Sequence, residues 1–147
     1  MRVVIQRVKE AQVKVDGKLI GQIAQGMLVF LGIARDDTQA SADYLIKKIT
    51  ELRIFEDAQG KMNVSAQEVA GQFLVVSQFT LYGNCDKGRR PSFDEAADPV
   101  QGEELYNYFV TQLKATKAKV DTGQFRATMD VSLINDGPVT FIIDSKQ

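Results

Sequence analysis

Two apolar, β-prone runs meet at a glycine–proline pair near the C-terminus, in Leu133-Ile134-Asn135-Asp136-Gly137-Pro138-Val139-Thr140-Phe141. Proline has no N–H to give to a sheet ladder and restricts the residue before it. Taken alone, Asn-Asp-Gly-Pro reads as a hairpin turn. A second segment, Val75-Val76-Ser77-Gln78-Phe79-Thr80-Leu81, reads as a buried strand that ends in hydrogen-bonding side chains. Any fold for this chain has to accommodate both.

The 147 residues suit one domain, spanning 1–147, with a single core. Hydrophobic and charged fractions of 44% and 25% are those of a globular protein rather than a disordered one. No apolar run approaches the ~18 residues of a membrane span, and no signal-peptide pattern opens the chain. The lone Cys85 excludes an intramolecular disulfide framework, so the expected compartment is the reducing cytoplasm, with no membrane partner. The absence of histidine constrains the chemistry more. It removes Ser-His-Asp and Cys-His catalysis and the commonest metal ligand, so neither metal nor cofactor is expected. A hydrolytic base would come from a carboxylate, a lysine, the backbone or the substrate. The net charge of −1 draws in no nucleic acid globally, although local clusters still can.

The periodicity predicts an α+β fold, a β-rich sheet or barrel-like domain with two covering helices. Val3, Ile5, Arg7 and Lys9 share one face of a first strand, with Val4, Gln6 and Val8 on the other. Val13 and Val15 follow, and Asp16-Gly17 supplies a hairpin turn. Leu19 to Ile23 and Met27 to Ile33 continue as strands. Ala42, Leu45, Ile46, Ile49 and Leu52 recur at helical spacing behind a cap region at Asp36-Asp37-Thr38. Asp98-Pro99 opens a second helix carrying Leu105, Phe109 and Leu113. Phe73 to Val76 reads as a central strand, and two late strands flank the Gly-Pro.

Between Leu81 and Asp98 the pattern is irregular, and loops this long in compact domains are usually either functional or disordered. Lys87, Arg89 and Arg90 concentrate positive charge there, suited to clamping phosphate. Arg7 shares a face with Val3 and Ile5. A guanidinium placed inward needs acceptors such as a backbone carbonyl, and the other reading is an arginine snorkelling from an edge strand. Thr80 has no base tied to it that would make it a nucleophile. Backbone N–H groups around Phe79 and Thr80 instead suit a developing oxyanion, with the Gln78 amide beside them. The Ser77 hydroxyl fits a turn-satisfying role as well as a catalytic one.

Ser-Gln-Phe-Thr followed by Asn-x-Gly-Pro-x-Thr resembles the paired signatures of the D-aminoacyl-tRNA deacylases. The likeness extends to Met1-Arg2-Val3-Val4-Ile5-Gln6-Arg7-Val8, Arg53-Ile54-Phe55-Glu56-Asp57, Gly60-Lys61-Met62-Asn63, Gly88-Arg89-Arg90-Pro91-Ser92-Phe93 and Leu105-Tyr106-Asn107-Tyr108-Phe109. It implies a homodimer without metal, acting on tRNA charged with a D-amino acid and hydrolysing its ester to the terminal adenosine. In that family a cis Gly-Pro, here Gly137-Pro138, reaches into the partner's site and screens chirality. Ser77, Gln78, Phe79 and Thr80 would form the catalytic wall, with Asn135, Thr140 and Arg7 as further binding and selectivity residues. Hydrolysis would lean on the ribose 2′-OH of the substrate. A backbone filter of this kind ignores side-chain identity, so glycine would pass it. Two other readings fit the same residues: a non-catalytic module binding RNA ends through the basic loop with Tyr82 and Phe93, and a structural dimer protein whose Gly-Pro only shapes the interface.

Overall fold

The computed structural model describes residues 1–146. A long strand, β1 (Arg2–Val15), turns at Asp16-Gly17 into β2 (Lys18–Ile23). Both turn residues have positive φ, 50° and 77°, as the tight hairpin predicted from Asp-Gly requires. β3 (Gly26–Gly32) then continues along the same edge of β1, opposite Arg2 to Val8, where β2 lies opposite Ala11 to Val15. Helix α1 (Gln39–Glu51) and the two short strands β4 (Phe55–Glu56) and β5 (Met62–Val64) return the chain to β6 (Gln72–Ser77), parallel to β3. A 3₁₀ turn (Phe79–Tyr82), a loop and α2 (Pro99–Ala115) precede β7 (Val120–Thr122), which is parallel to β6. β8 (Asp130–Asp144) pairs antiparallel with β1 over nearly its whole length.

The resulting sheet runs β2-β1-β3-β6-β7, with β8 on the other edge of β1. It curls until β2 meets β7, where the Gln22 N–H donates to the Asp121 carboxylate at 2.8 Å, so the sheet is nearly a closed barrel. Alternating strand residues feed two cores. Val3, Ile5, Met27, Val29, Phe73 and Val75 pack against Leu45, Ile49, Phe109 and Leu113 of the helices. Val13, Leu28, Leu74 and Val76 fill the inside of the curl. β1 serves both, because its ladder to β8 shifts register between Val8 and Glu10. Lys9, the extra residue at that shift, is exposed although simple alternation would bury it beside Arg7, and Val8 on the opposite face is buried in the second core.

The helix starts follow the sequence closely. The Asp98 carboxylate accepts from the N–H groups of Val100 and Gln101 at 2.9 and 3.0 Å, and Pro99 occupies the first turn. At α1 the cap is Thr38, whose N–H donates to the Ser41 hydroxyl at 3.1 Å. Asp37, in the predicted cap region, is instead buried, accepting from the Ala34 N–H and pairing with the Met1 ammonium. Among the described residues, no helix is long and apolar enough to cross a membrane.

Phe109 lies fully buried between α2 and the sheet. Phe109→Ala should lower unfolding free energy by about 3–5 kcal/mol. Val100→Ala, at an exposed position of the same helix, should change it by less than ~0.5 kcal/mol. Equilibrium urea denaturation of both variants checks the contrast.

Candidate active site

Gly137-Pro138 does not reverse the chain. Both flanks of the pair hydrogen-bond to β1, with Thr140 opposite Gln6 and Asn135 opposite Val8. The four residues Asp136 to Val139 therefore stand opposite Arg7 alone, as a bulge lifted out of the ladder. Asn135 bridges its base: the side-chain carbonyl accepts from the Val139 N–H at 2.9 Å, and the amide donates to the Thr140 hydroxyl at 3.2 Å. Gln6 donates to the same hydroxyl at 3.2 Å. Gly137 and Pro138 are exposed at the tip, joined by a cis peptide bond. Gly137 has φ +133°, and a Cβ there would meet Val139 Cγ2 at 2.7 Å and Arg7 Nη2 at 3.1 Å, so only glycine fits.

Arg7 holds the bulge from below. It is 3% exposed. Its Nε donates to the Asp136 carbonyl at 3.0 Å and its Nη1 to the Ile54 carbonyl at 2.7 Å. The carboxylates of Asp136 and Glu56 lie 3.5 and 3.6 Å from the guanidinium. The inward reading of Arg7 therefore holds, and the snorkelling alternative falls because β1 is an interior strand.

At the other end of the sheet, β6 finishes at Ser77 and the chain enters the 3₁₀ turn. The Phe79 and Thr80 N–H groups open that turn and have no partner within it. The Gln78 side-chain amide donates to the Thr80 hydroxyl, and Phe79 and Thr80 are exposed. Beside this wall opens a cleft of about 600 Å³ bounded by Val76, Ser77, Phe79, Phe93, Phe125 and Met129. Arg2 braces the turn from behind, donating to the Leu81 carbonyl at 3.0 Å and lying 5.2 Å over the Tyr82 ring. Burial raises the Tyr82 phenol above its ordinary range, with the nearby Asp37 charge adding to the effect, so it stays protonated.

Within one chain the two signatures are apart. Arg7 lies opposite Met27 at the start of β3, whereas Ser77 lies beside Leu31 near its end. Four residue steps along the strand separate those positions, roughly 13 Å at strand rise.

Residues 4–144 match the D-Tyr-tRNA(Tyr) deacylase family. The chain is 59% identical over 146 residues to the D-aminoacyl-tRNA deacylase of Desulfatibacillum aliphaticivorans, covering 99% of this chain and all of that protein. It is 54% identical to the protein of the same name from Thermotoga petrophila, covering 100% of this chain and 99% of that one. This chain belongs to the D-aminoacyl-tRNA deacylase family. Among solved structures, a c-Myc DNA unwinding element binding protein superimposes with TM-score 0.94 at 40% identity, each chain covered in full. A probable eukaryotic D-amino acid tRNA deacylase shares the fold, with TM-score 0.86 at 19% identity over 97% of this chain and 98% of that one.

Against the deacylase signatures, the structure gathers Ser77, Gln78, Phe79 and Thr80 at one cleft and Arg7, Asn135, Gly137, Pro138 and Thr140 at one bulge. Lys87, Arg89 and Arg90 are all exposed on a loop pinched at its base, where Asn84 and Ser92 exchange hydrogen bonds of 2.7 and 2.9 Å. Tyr82 is not available for stacking, being half-buried beneath Arg2. Phe125 and Met129 at the cleft, and Ile54 under Arg7, escaped the sequence reading. Phe125 lies in a non-periodic stretch, Met129 read only as the start of the alternating strand that follows it, and Ile54 acts through its backbone.

Removing the Arg7 guanidinium strands two carbonyls that it satisfies. Arg7→Met should therefore lower stability by about 2–4 kcal/mol in denaturant titration, the loss expected for two buried acceptors.

Proposed function

We propose that this deacylase-family chain hydrolyses the ester between a D-amino acid and the terminal adenosine of tRNA, rejecting L-amino acids. The observation that carries the reading is the exposed Gly137-Pro138 bulge, held by a buried arginine and framed by Asn135 and Thr140. It is a fixed piece of backbone with no side chain at Gly137, suited to judging shape around a substrate Cα rather than side-chain identity.

The site works as a homodimer. Within one chain the bulge lies too far from Ser77–Thr80, and β8 leaves Ile134, Phe141 and Ile142 exposed for a second copy to cover. The partner's bulge then faces the cleft beside Phe79 and Thr80. Carbonyls of that bulge accept from the substrate's α-ammonium, while the Phe79 and Thr80 N–H groups take the ester oxygen. With both ends pinned, an L side chain points into the Gly-Pro wall, a D side chain points away, and glycine is not rejected.

In the reaction, water adds to the ester carbonyl carbon, assisted by the ribose 2′-OH of the substrate. The carbonyl oxygen becomes the oxyanion held by the two N–H groups. Collapse breaks the bond to O3′, which takes up a proton, releasing tRNA and the D-amino acid. The terminal adenosine occupies the cleft of about 600 Å³, a size within the range of small-molecule sites. Lys87, Arg89 and Arg90 contact phosphates of the acceptor arm. Charged tRNA places the enzyme in the cytoplasm.

The purified protein should release tyrosine from D-tyrosyl-tRNA and leave L-tyrosyl-tRNA intact, followed by acid-precipitable label. Specific activity should fall on dilution in step with dimer dissociation measured by light scattering. A fully active monomer, or binding of both substrates without release, would refute the proposal.

The assignment of the oxyanion to backbone makes a separate claim about Thr80. Thr80→Ala should keep most deacylation, because the hydroxyl only accepts from Gln78. A substrate ending in 2′-deoxyadenosine should lose roughly 10²-fold in turnover as the general-base help goes. Single-turnover kinetics on the two substrates measures this, and an acyl-Thr80 ester trapped by mass spectrometry would reverse the assignment.

A further inference from the structure

We propose that Phe79 and Phe93, with the basic loop behind them, form a track for the unpaired nucleotides that precede the terminal adenosine of tRNA. The proposal rests on the function given above and specifies how the substrate's nucleic acid is held.

Phe79 is 58% exposed and Phe93 38% exposed. Their rings lie 5.0 Å apart between centroids, tilted by 58°. The two rings pack on each other and still leave a broad aromatic face open to water beside the cleft. Their placement is built in. A Cβ at Gly83 would meet Phe93 Cε1 and the Thr80 carbonyl, each at 3.0 Å, so the bare glycine is what allows the Phe93 ring to lie against the 3₁₀ turn. Beyond the ring, the Ala96 N–H donates to the Phe93 carbonyl at 3.1 Å, and the Asn84–Ser92 pair closes the loop just before it.

Charge points to the occupant. The loop tip carries Lys87, Arg89 and Arg90, all exposed, with Gly88 at φ +70° making the bend. Three carboxylates share the loop: Asp94 accepts from the Ser92 hydroxyl at 2.8 Å, Glu95 lines a separate hollow with Arg2 and Arg35, and Asp86 stands exposed beside the three cations. Aromatic rings flanked by cations are the means by which proteins hold single strands, bases stacking on the rings and phosphates facing the charges. Both rings border the cleft assigned to the terminal adenosine. A strand leaving that cleft towards the loop therefore crosses them.

The experiment compares two D-tyrosyl esters, one on full tRNA and one on adenosine alone, with wild type, Phe93→Leu and Phe93→Trp. Phe93→Leu keeps an apolar side chain over Gly83 but removes the stacking face. The ratio of kcat/KM on tRNA to kcat/KM on the adenosine ester should fall about tenfold in Phe93→Leu, through KM, in keeping with the loss of one stacked base. Phe93→Trp should retain the wild-type ratio. Equal losses on both esters would place Phe93 in the adenosine subsite or in support of the turn, and overturn the proposal. So would an unchanged ratio, or loss of the dimer in light scattering, which would make the rings a subunit contact. Failure of wild type to hydrolyse either ester would instead refute the underlying function.

Discussion

A guanidinium sealed under a β-sheet has to find acceptors, and much else in this protein follows from how Arg7 finds them. Removing a charge from water is unfavourable by several kcal/mol unless hydrogen bonds and opposite charges replace the solvent. Here the replacement comes from two backbone carbonyls, Asp136 and Ile54, with the Glu56 and Asp136 carboxylates just beyond direct contact. One side chain thus ties together β1, the segment entering β4, and the bulge in β8. A regular ladder would bond the β8 backbone to β1 at this point and leave no carbonyl turned towards the guanidinium. The bulge and the buried charge require each other.

The bulge, in turn, shapes what the surface offers. With β8 paired to β1 on both sides, the displaced residues cannot slide, and the Asn135 side chain supplies the hydrogen bond that the Val139 N–H has lost from the ladder. In the proposed function, backbone held this firmly is what judges a substrate by volume. The opposite end of the sheet follows a different logic. There the strand stops, a tight turn offers its first N–H groups no partner of its own, and Arg2 and Tyr82 hold that turn from behind. Donors poised without partners suit a charge that exists only during reaction.

Sequence patterning made much of this visible. The Asp-Gly hairpin, the Asp98-Pro99 helix start and the central strand at Phe73 to Val76 all depend on contacts between near neighbours or on the simple periods of strand and helix. The reading failed where distant residues decided. The cap region Asp36-Asp37-Thr38 does hold the cap, at Thr38, but the fate of Asp37 was set at a distance, where the Met1 ammonium captures its carboxylate. Alternation put Lys9 on the face of Val3 and Ile5 because it assumes an unbroken ladder, and the register shift beside it breaks that assumption. Tyr82 looked free to stack, and nothing local indicated that Arg2 would cover its ring.

By itself the sequence determined the elements, the family and the two signatures, because turn chemistry, periodicity and short motifs are written in adjacent residues. It also determined, by omitting histidine, that no imidazole acts here. The tertiary structure alone decided that Gly137-Pro138 is a bulge rather than a hairpin, since both flanks pair with one long strand whose path no local rule predicts. It decided as well that the two signatures stand at opposite ends of β3. Strand register and sheet curl are settled by packing over the whole chain, and they set where each motif comes to rest.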